Sequence, residues 1–137
     1  VPKIVSIVGH HNAGKTTLIE ALIPRLQAMG LRVGYLKHDP KGHGITDKEG
    51  SDTHRIFRLT EKVGLLSPEK LTLWEKVYDN PLEVVEKYFS DFDLVILEGW
   101  KGLEGIKRVV LGGLELEGFR VMGLENLQKV IDYILEE

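Results

Sequence analysis

The chain has 137 residues, 42% of them hydrophobic and 28% charged, which fits one globular domain, residues 1–137, with one sizeable core. A net charge of −3 offers no basic field for nucleic acid, and the absence of cysteine removes disulfides, thiolate zinc sites and cysteine nucleophiles together. No apolar run approaches the roughly 18–20 residues of a membrane span. No signal-peptide pattern opens the chain, so the expectation is a cytoplasmic protein without a membrane or nucleic-acid partner.

Lys3-Ile4-Val5-Ser6-Ile7-Val8 reads as a β-branched, apolar strand. It leads into Gly9-His10-His11-Asn12-Ala13-Gly14-Lys15-Thr16, which fits G-x-x-x-x-G-K-[ST], the phosphate-binding P-loop. Glycines let the backbone turn tightly and approach a polyphosphate. Successive N–H groups and the following helix N-terminus then face it with donors and partial positive charge. The nucleotide-binding set predicted here is Gly9, His11, Asn12, Ala13, Gly14, Lys15, Thr16 and Thr17, with Lys15 on the β- and γ-phosphate oxygens and Thr16 on Mg²⁺.

A helix follows from Lys15 to about Met29, with Leu18, Ile19, Leu22, Ile23 and Leu26 on one face. Pro24 inside it predicts a bend or a lost bond, and Gly30 is placed to end it. Leu31–Lys37 is the second strand, parallel to the first through the intervening helix. Residues 38–50 form a long, polar, glycine-containing loop beyond the carboxyl end of that strand, where open α/β sheets bind ligands.

Ser51 caps a short helix through Arg58. The apolar runs Val63–Leu66 and Leu71–Trp74 flank a turn-like Ser67-Pro68-Glu69-Lys70 and read as a hairpin or as two successive strands. Pro81–Phe89 is a helix behind Asn80. Leu94-Val95-Ile96-Leu97 suits a central strand covered on both faces. Ile106–Leu111 and Phe119–Met122 are further strands, and Leu124–Glu136 is a closing helix with Leu127, Val130, Ile131, Ile134 and Leu135 on one side.

A P-loop needs a magnesium partner. Glu98 ends the central strand at the edge where such a carboxylate belongs, whereas Asp93 starts it, about 16 Å away along the strand. Gly99 follows, with a backbone N–H available to read a γ-phosphate. Asp52 is the second carboxylate candidate for the metal, in competition with Asp39 and Asp47. Lys37, Lys41, Lys101 and Arg55 gather positive charge for an anionic substrate, and His38 stands beside them. The histidines lack the cysteine or carboxylate company of a transition-metal site and read as ligand contacts or solvated groups.

Together, the Gly14-Lys15-Thr16-Thr17-Leu18 loop, Tyr35-Leu36-Lys37-His38, Gly50-Ser51-Asp52-Thr53-x-Arg55 and Val95-Ile96-Leu97-Glu98-Gly99-Trp100-Lys101 resemble the MobB family, the molybdopterin-guanine dinucleotide biosynthesis adapter proteins. The wider group includes dethiobiotin synthetase and the nickel-enzyme GTPases. The resemblance implies a P-loop NTPase fold, three α/β/α layers around a mostly parallel sheet. It also implies GTP and Mg²⁺ as ligands, weak GTPase activity with Lys15 and Glu98 as the catalytic pair, and a homodimer. The implied role is to assist MobA, the guanylyltransferase that joins GMP to molybdopterin. By position, Lys15, Thr16, Asp52 and Glu98 become the phosphate and magnesium residues, and Lys37, His38, Arg55 and Lys101 face a molybdopterin-type anion. Two other readings keep the P-loop: a small-molecule kinase or ligase, and a metallochaperone GTPase. The chain departs from the family between Lys107 and Phe119, which is short and broken by glycine, and it has no Asn-Lys-x-Asp guanine-reading motif.

Overall fold

The computed structural model describes all residues, Val1–Glu137. The chain divides into two compact units, one of residues 1–38 and 81–137, the other Asp39–Asn80.

In the larger unit the strands are β1 (Lys3–Val8), β2 (Val33–Lys37), β5 (Leu94–Glu98), β6 (Lys107–Leu111) and β7 (Phe119–Val121). They form one sheet in the order β2-β5-β1-β6-β7, every neighbouring pair parallel. β1 and β2 are parallel, as their connecting helix requires, yet they do not touch: β5 lies between them. Chain order therefore reverses around β1, and the loop after β1 sits at the switch point of the sheet, where parallel sheets open a ligand crevice.

Strand alternation divides the core. Val5, Ile7, Leu94, Ile96, Val109 and Leu111 pack on one face with α1 (Lys15–Ala28) and α4 (Leu127–Leu135). Val95 and Leu97 pack on the other with Val85 of α3 (Pro81–Tyr88), supported by Phe89 and Phe92. Each buried residue of β5 thus meets helix on its own side, which explains its uninterrupted apolar run and gives the three layers. Burying a side chain of this kind contributes about 1.5–3 kcal/mol.

α1 runs unbroken through Pro24, which lies exposed on its outer side. The helix ends one residue earlier than its apolar period suggests. Gly30 takes a left-handed φ of 87°, its N–H donates to the Gln27 carbonyl at 2.9 Å, and Leu31 donates to Leu26 at 3.3 Å. This Schellman closure takes Leu31 out of the second strand, which starts at Val33.

The smaller unit holds α2 (Asp52–Phe57) and an antiparallel pair, β3 (Lys62–Leu66) and β4 (Leu71–Glu75). The two apolar runs form a hairpin, closed by the Ser67 N–H donating to Lys70 at 2.9 Å. Ser51 caps α2 as predicted, its Oγ accepting from the His54 N–H. Asp39 accepts from the N–H groups of His43 and Gly44 at 3.1 and 2.9 Å. Asp47 accepts from Lys48 N–H, Ser51 Oγ and Thr53 Oγ1 at 2.9–3.2 Å. Both carboxylates hold turns of the loop, a role that Asx chemistry favours.

Candidate functional site

The loop after β1 has the geometry that its glycines demand. Asn12 (φ 65°) and Gly14 (φ 96°) are left-handed, and Ala13 N–H donates back to the His10 carbonyl at 3.1 Å. Gly9 is buried where a Cβ would lie only 3.1 Å from that of Leu111 and 3.2 Å from that of Ala13, so the first glycine is what lets the loop lie against β6. Gly14 has no side chain to cap α1, which leaves the first N–H groups of that helix for a ligand.

A cleft of about 360 Å³ opens there, lined by His11, Asn12, Gly14, Lys15, Thr16, Thr17, Lys37 and Glu98. Of the predicted set, Gly9 and Ala13 shape the loop from beneath: Ala13 packs against the core. His10 contributes its carbonyl, which Lys15 Nζ also reaches at 3.1 Å while donating to the Gly9 carbonyl at 2.9 Å. The Lys15 side chain is thereby folded over its own loop. Partial burial lowers its pKa below the lysine value, the Glu98 carboxylate pulls it back up, and the charges of Lys101 and Lys37 lower it further. Three lysines therefore act on one cleft, as the sequence predicts.

Glu98 is the charged residue of this unit that the fold buries, at 6% exposure. Sheet order explains its partners. β2 lies beside β5 with Lys37 opposite Glu98 and Tyr35 two residues back on the same face. Tyr35 Oη donates to Glu98 Oε1 at 2.8 Å, and Lys37 Nζ stands 3.8 Å from Oε2. Burial and the bond to Glu98, reinforced by its negative charge, push the Tyr35 pKa well up, which keeps the hydroxyl a donor. Tyr35 was not among the predicted site residues. The signal for it is the two-residue alternation with Lys37, which becomes informative only once β2 is known to border β5.

Asp93 sits at the opposite end of β5, its Oδ2 accepting the Arg32 N–H at 2.7 Å and its carbonyl the Lys3 N–H at 2.9 Å. The expected preference for Glu98 as the carboxylate in the cleft therefore agrees with the strand direction. The expectation for Gly99 does not: its N–H donates to the Ile7 carbonyl at 3.0 Å, inside the sheet, and is not presented to a phosphate. Its carbonyl accepts from Ser6 Oγ at 2.7 Å, which accounts for a buried serine in β1. Gly99 (φ 107°) and Trp100 (φ 53°) are both left-handed, and this turn stacks the Trp100 ring on His38 at 4.4 Å. Lys101 follows, exposed on the same edge. Asp52 and Arg55 belong to the smaller unit, where they pair with each other at 2.6 Å. No three His, Asp or Glu side chains cluster as a ready-made metal cage. The Glu98 carboxylate and Thr16 hydroxyl are nevertheless hard oxygen donors in one cleft, which suits Mg²⁺ shared with a phosphate better than a dedicated all-protein site.

A phosphate-type loop at the switch point of a parallel sheet, with a buried carboxylate ending the adjacent strand, defines a P-loop α/β protein. Comparison with known proteins gives the branch. The chain belongs to the MobB family: the model of Molybdopterin guanine dinucleotide synthesis protein B matches residues 4–130. It is 32% identical to the molybdopterin-guanine dinucleotide biosynthesis adapter protein of Haemophilus influenzae, over 96% of this chain and 71% of that protein. It is also 32% identical to the probable adapter protein of Bacillus subtilis, over 93% and 75%. Among solved structures, a crystal structure of molybdopterin-guanine biosynthesis protein B superposes with a TM-score of 0.63 at 35% identity, covering 78% of this chain and 67% of the other.

Proposed function

We propose that this chain is a GTP-binding adapter in molybdopterin-guanine dinucleotide biosynthesis. It binds Mg²⁺ with the nucleotide, works beside a MobA-like guanylyltransferase, and acts in the cytoplasm as a homodimer. The observation that carries the nucleotide reading is the convergence of Lys15, Thr16 and the buried Glu98 on one cleft at the α1 N-terminus. The family assignment carries the pathway.

In this reading the loop N–H groups hold the β-phosphate, and Lys15 leaves the Gly9 and His10 carbonyls for the β- and γ-oxygens. Thr16 and Glu98 hold Mg²⁺, which when bound neutralises charge on the transferring phosphoryl group. Lys37 then exchanges Glu98 for phosphate or for the anionic pterin, with Lys101 and His38 on the same rim. Turnover is slow because Glu98 is committed to Tyr35 and Lys37 and leaves no carboxylate free to orient a water.

Calorimetry of the purified chain with GTP and Mg²⁺ tests the site. Lys15→Ala is expected to abolish binding while leaving the circular dichroism spectrum and cooperative unfolding intact, since Lys15 lies at the cleft and not in the core. Unchanged GTP affinity in Lys15→Ala refutes the P-loop assignment.

A further inference from the structure

A second cavity, about 410 Å³, lies at the turn after β7 and is not used by the phosphate cleft. Phe119, Val121, Met122, Glu125, Asn126 and Lys129 contribute to its lining. Its place in the sheet gives it a meaning. Glu98 and Lys37 put the metal and terminal phosphates on the β5–β2 side of β1. A nucleotide held that way round extends its ribose and base in the other direction, across β6 toward β7. The carboxyl end of β7 is two strand spacings from β1, about 10 Å, a distance that a nucleoside spans. The cavity is formed by the residues that leave that end of the strand and enter α4. Its size falls in the range of small-molecule sites, and it has the composition of one: apolar walls with a few polar groups.

We propose that this cavity is the base subsite and that Glu125 makes it a guanine site. The proposal rests on the nucleotide reading of the P-loop cleft and adds the part that the missing Asn-Lys-x-Asp motif leaves unassigned. An ionised carboxylate only accepts hydrogen bonds. Guanine offers two adjacent donors, N1–H and the 2-amino group, that a carboxylate takes together. Adenine presents N1 as an acceptor at that edge and would face Glu125 with lone pair against lone pair. Asn126, at the N-cap of α4, makes no capping bond with its side chain, so its amide is available to the O6 or N7 acceptors. Phe119 and Met122 supply apolar contact for the ring face.

Calorimetric binding of GTP, ITP, ATP and XTP with Mg²⁺ to the wild-type chain, Glu125→Ala, Glu125→Gln and Lys15→Ala tests this. Glu125 is exposed on a turn, so the variants should fold, and their melting temperatures check it. The wild type should prefer GTP to both ITP, which lacks the 2-amino group, and ATP. Glu125→Ala should shrink the GTP-to-ATP ratio by about tenfold or more. Glu125→Gln should gain affinity for XTP, because a carboxamide donor meets the 2-carbonyl that xanthine has in place of the amino group. Triphosphate binding that depends on Lys15 but keeps the same GTP-to-ATP and GTP-to-ITP ratios in both Glu125 variants overturns the base assignment and leaves the phosphate site standing. Absence of Lys15-dependent binding overturns both.

Discussion

Gly99→Ala tests the turn that holds Glu98 in place. Gly99 has a φ of 107°, where an L-residue is strained by about 1–3 kcal/mol. A Cβ built there stands 2.8 Å from the Cβ of His38, whose ring is pinned against Trp100. Relief requires moving one backbone or the other, and such overpacking costs about another 1–3 kcal/mol. Neither backbone is loose. Gly99 N–H is bonded to Ile7, its carbonyl to Ser6 Oγ, and the Glu98 carbonyl to the His38 N–H at 2.9 Å. The expected loss is therefore about 2–6 kcal/mol, read as a shift of the urea midpoint at constant slope. Mg²⁺-dependent GTP affinity should fall as well, because the displaced turn carries Glu98. Gly102→Ala is the matched control: no atom lies within 4 Å of its added Cβ and its φ is not positive, so stability should change by less than about 0.5 kcal/mol. Equal midpoints for Gly99→Ala and Gly102→Ala would show that the turn is neither strained by a side chain nor tied as described.

Glu98→Gln should weaken the Mg²⁺ dependence of GTP binding on the order of 10–100-fold, whereas Asp93→Asn, at the other end of β5, should leave it near wild type; magnesium titrations in which the two variants match would reverse the orientation of the site. The depressed Lys15 pKa gives a pH signature. A bound anion favours the ammonium form, so GTP affinity should hold at neutral pH and fall as pH rises through the lowered Lys15 value, earlier than the roughly 10.4 of an ordinary lysine. Lys37→Ala or Lys101→Ala removes a like charge that lowers Lys15 and should move the fall to higher pH, against a weaker overall affinity; a limb that ignores both variants rules out Lys15 as the titrating group.

Much of this protein is legible in its local pattern. The P-loop spacing and the flanking strand and helix depend on residues adjacent in sequence, and the structure has them where the pattern puts them. The apolar run of β5 announces burial on both faces, because only a strand covered by helix on each side can afford no polar alternation. Strand direction alone separates Glu98 from Asp93. The MobB resemblance rests on the same local segments, and the family match agrees with it. Neighbourhood across the sheet is a different matter. Nothing between β1 and β2 says that β5, more than fifty residues later, will lie between them, and Tyr35 becomes a partner of Glu98 only through that insertion. The Gly99 N–H seemed available while it was considered alone and is taken by Ile7 once β1 and β5 pair. The cavity at β7 likewise has no motif. Periodicity reports which face of an element is apolar; which elements meet is decided by long-range burial and hydrogen-bond closure, and the site's second ring of contacts is made there.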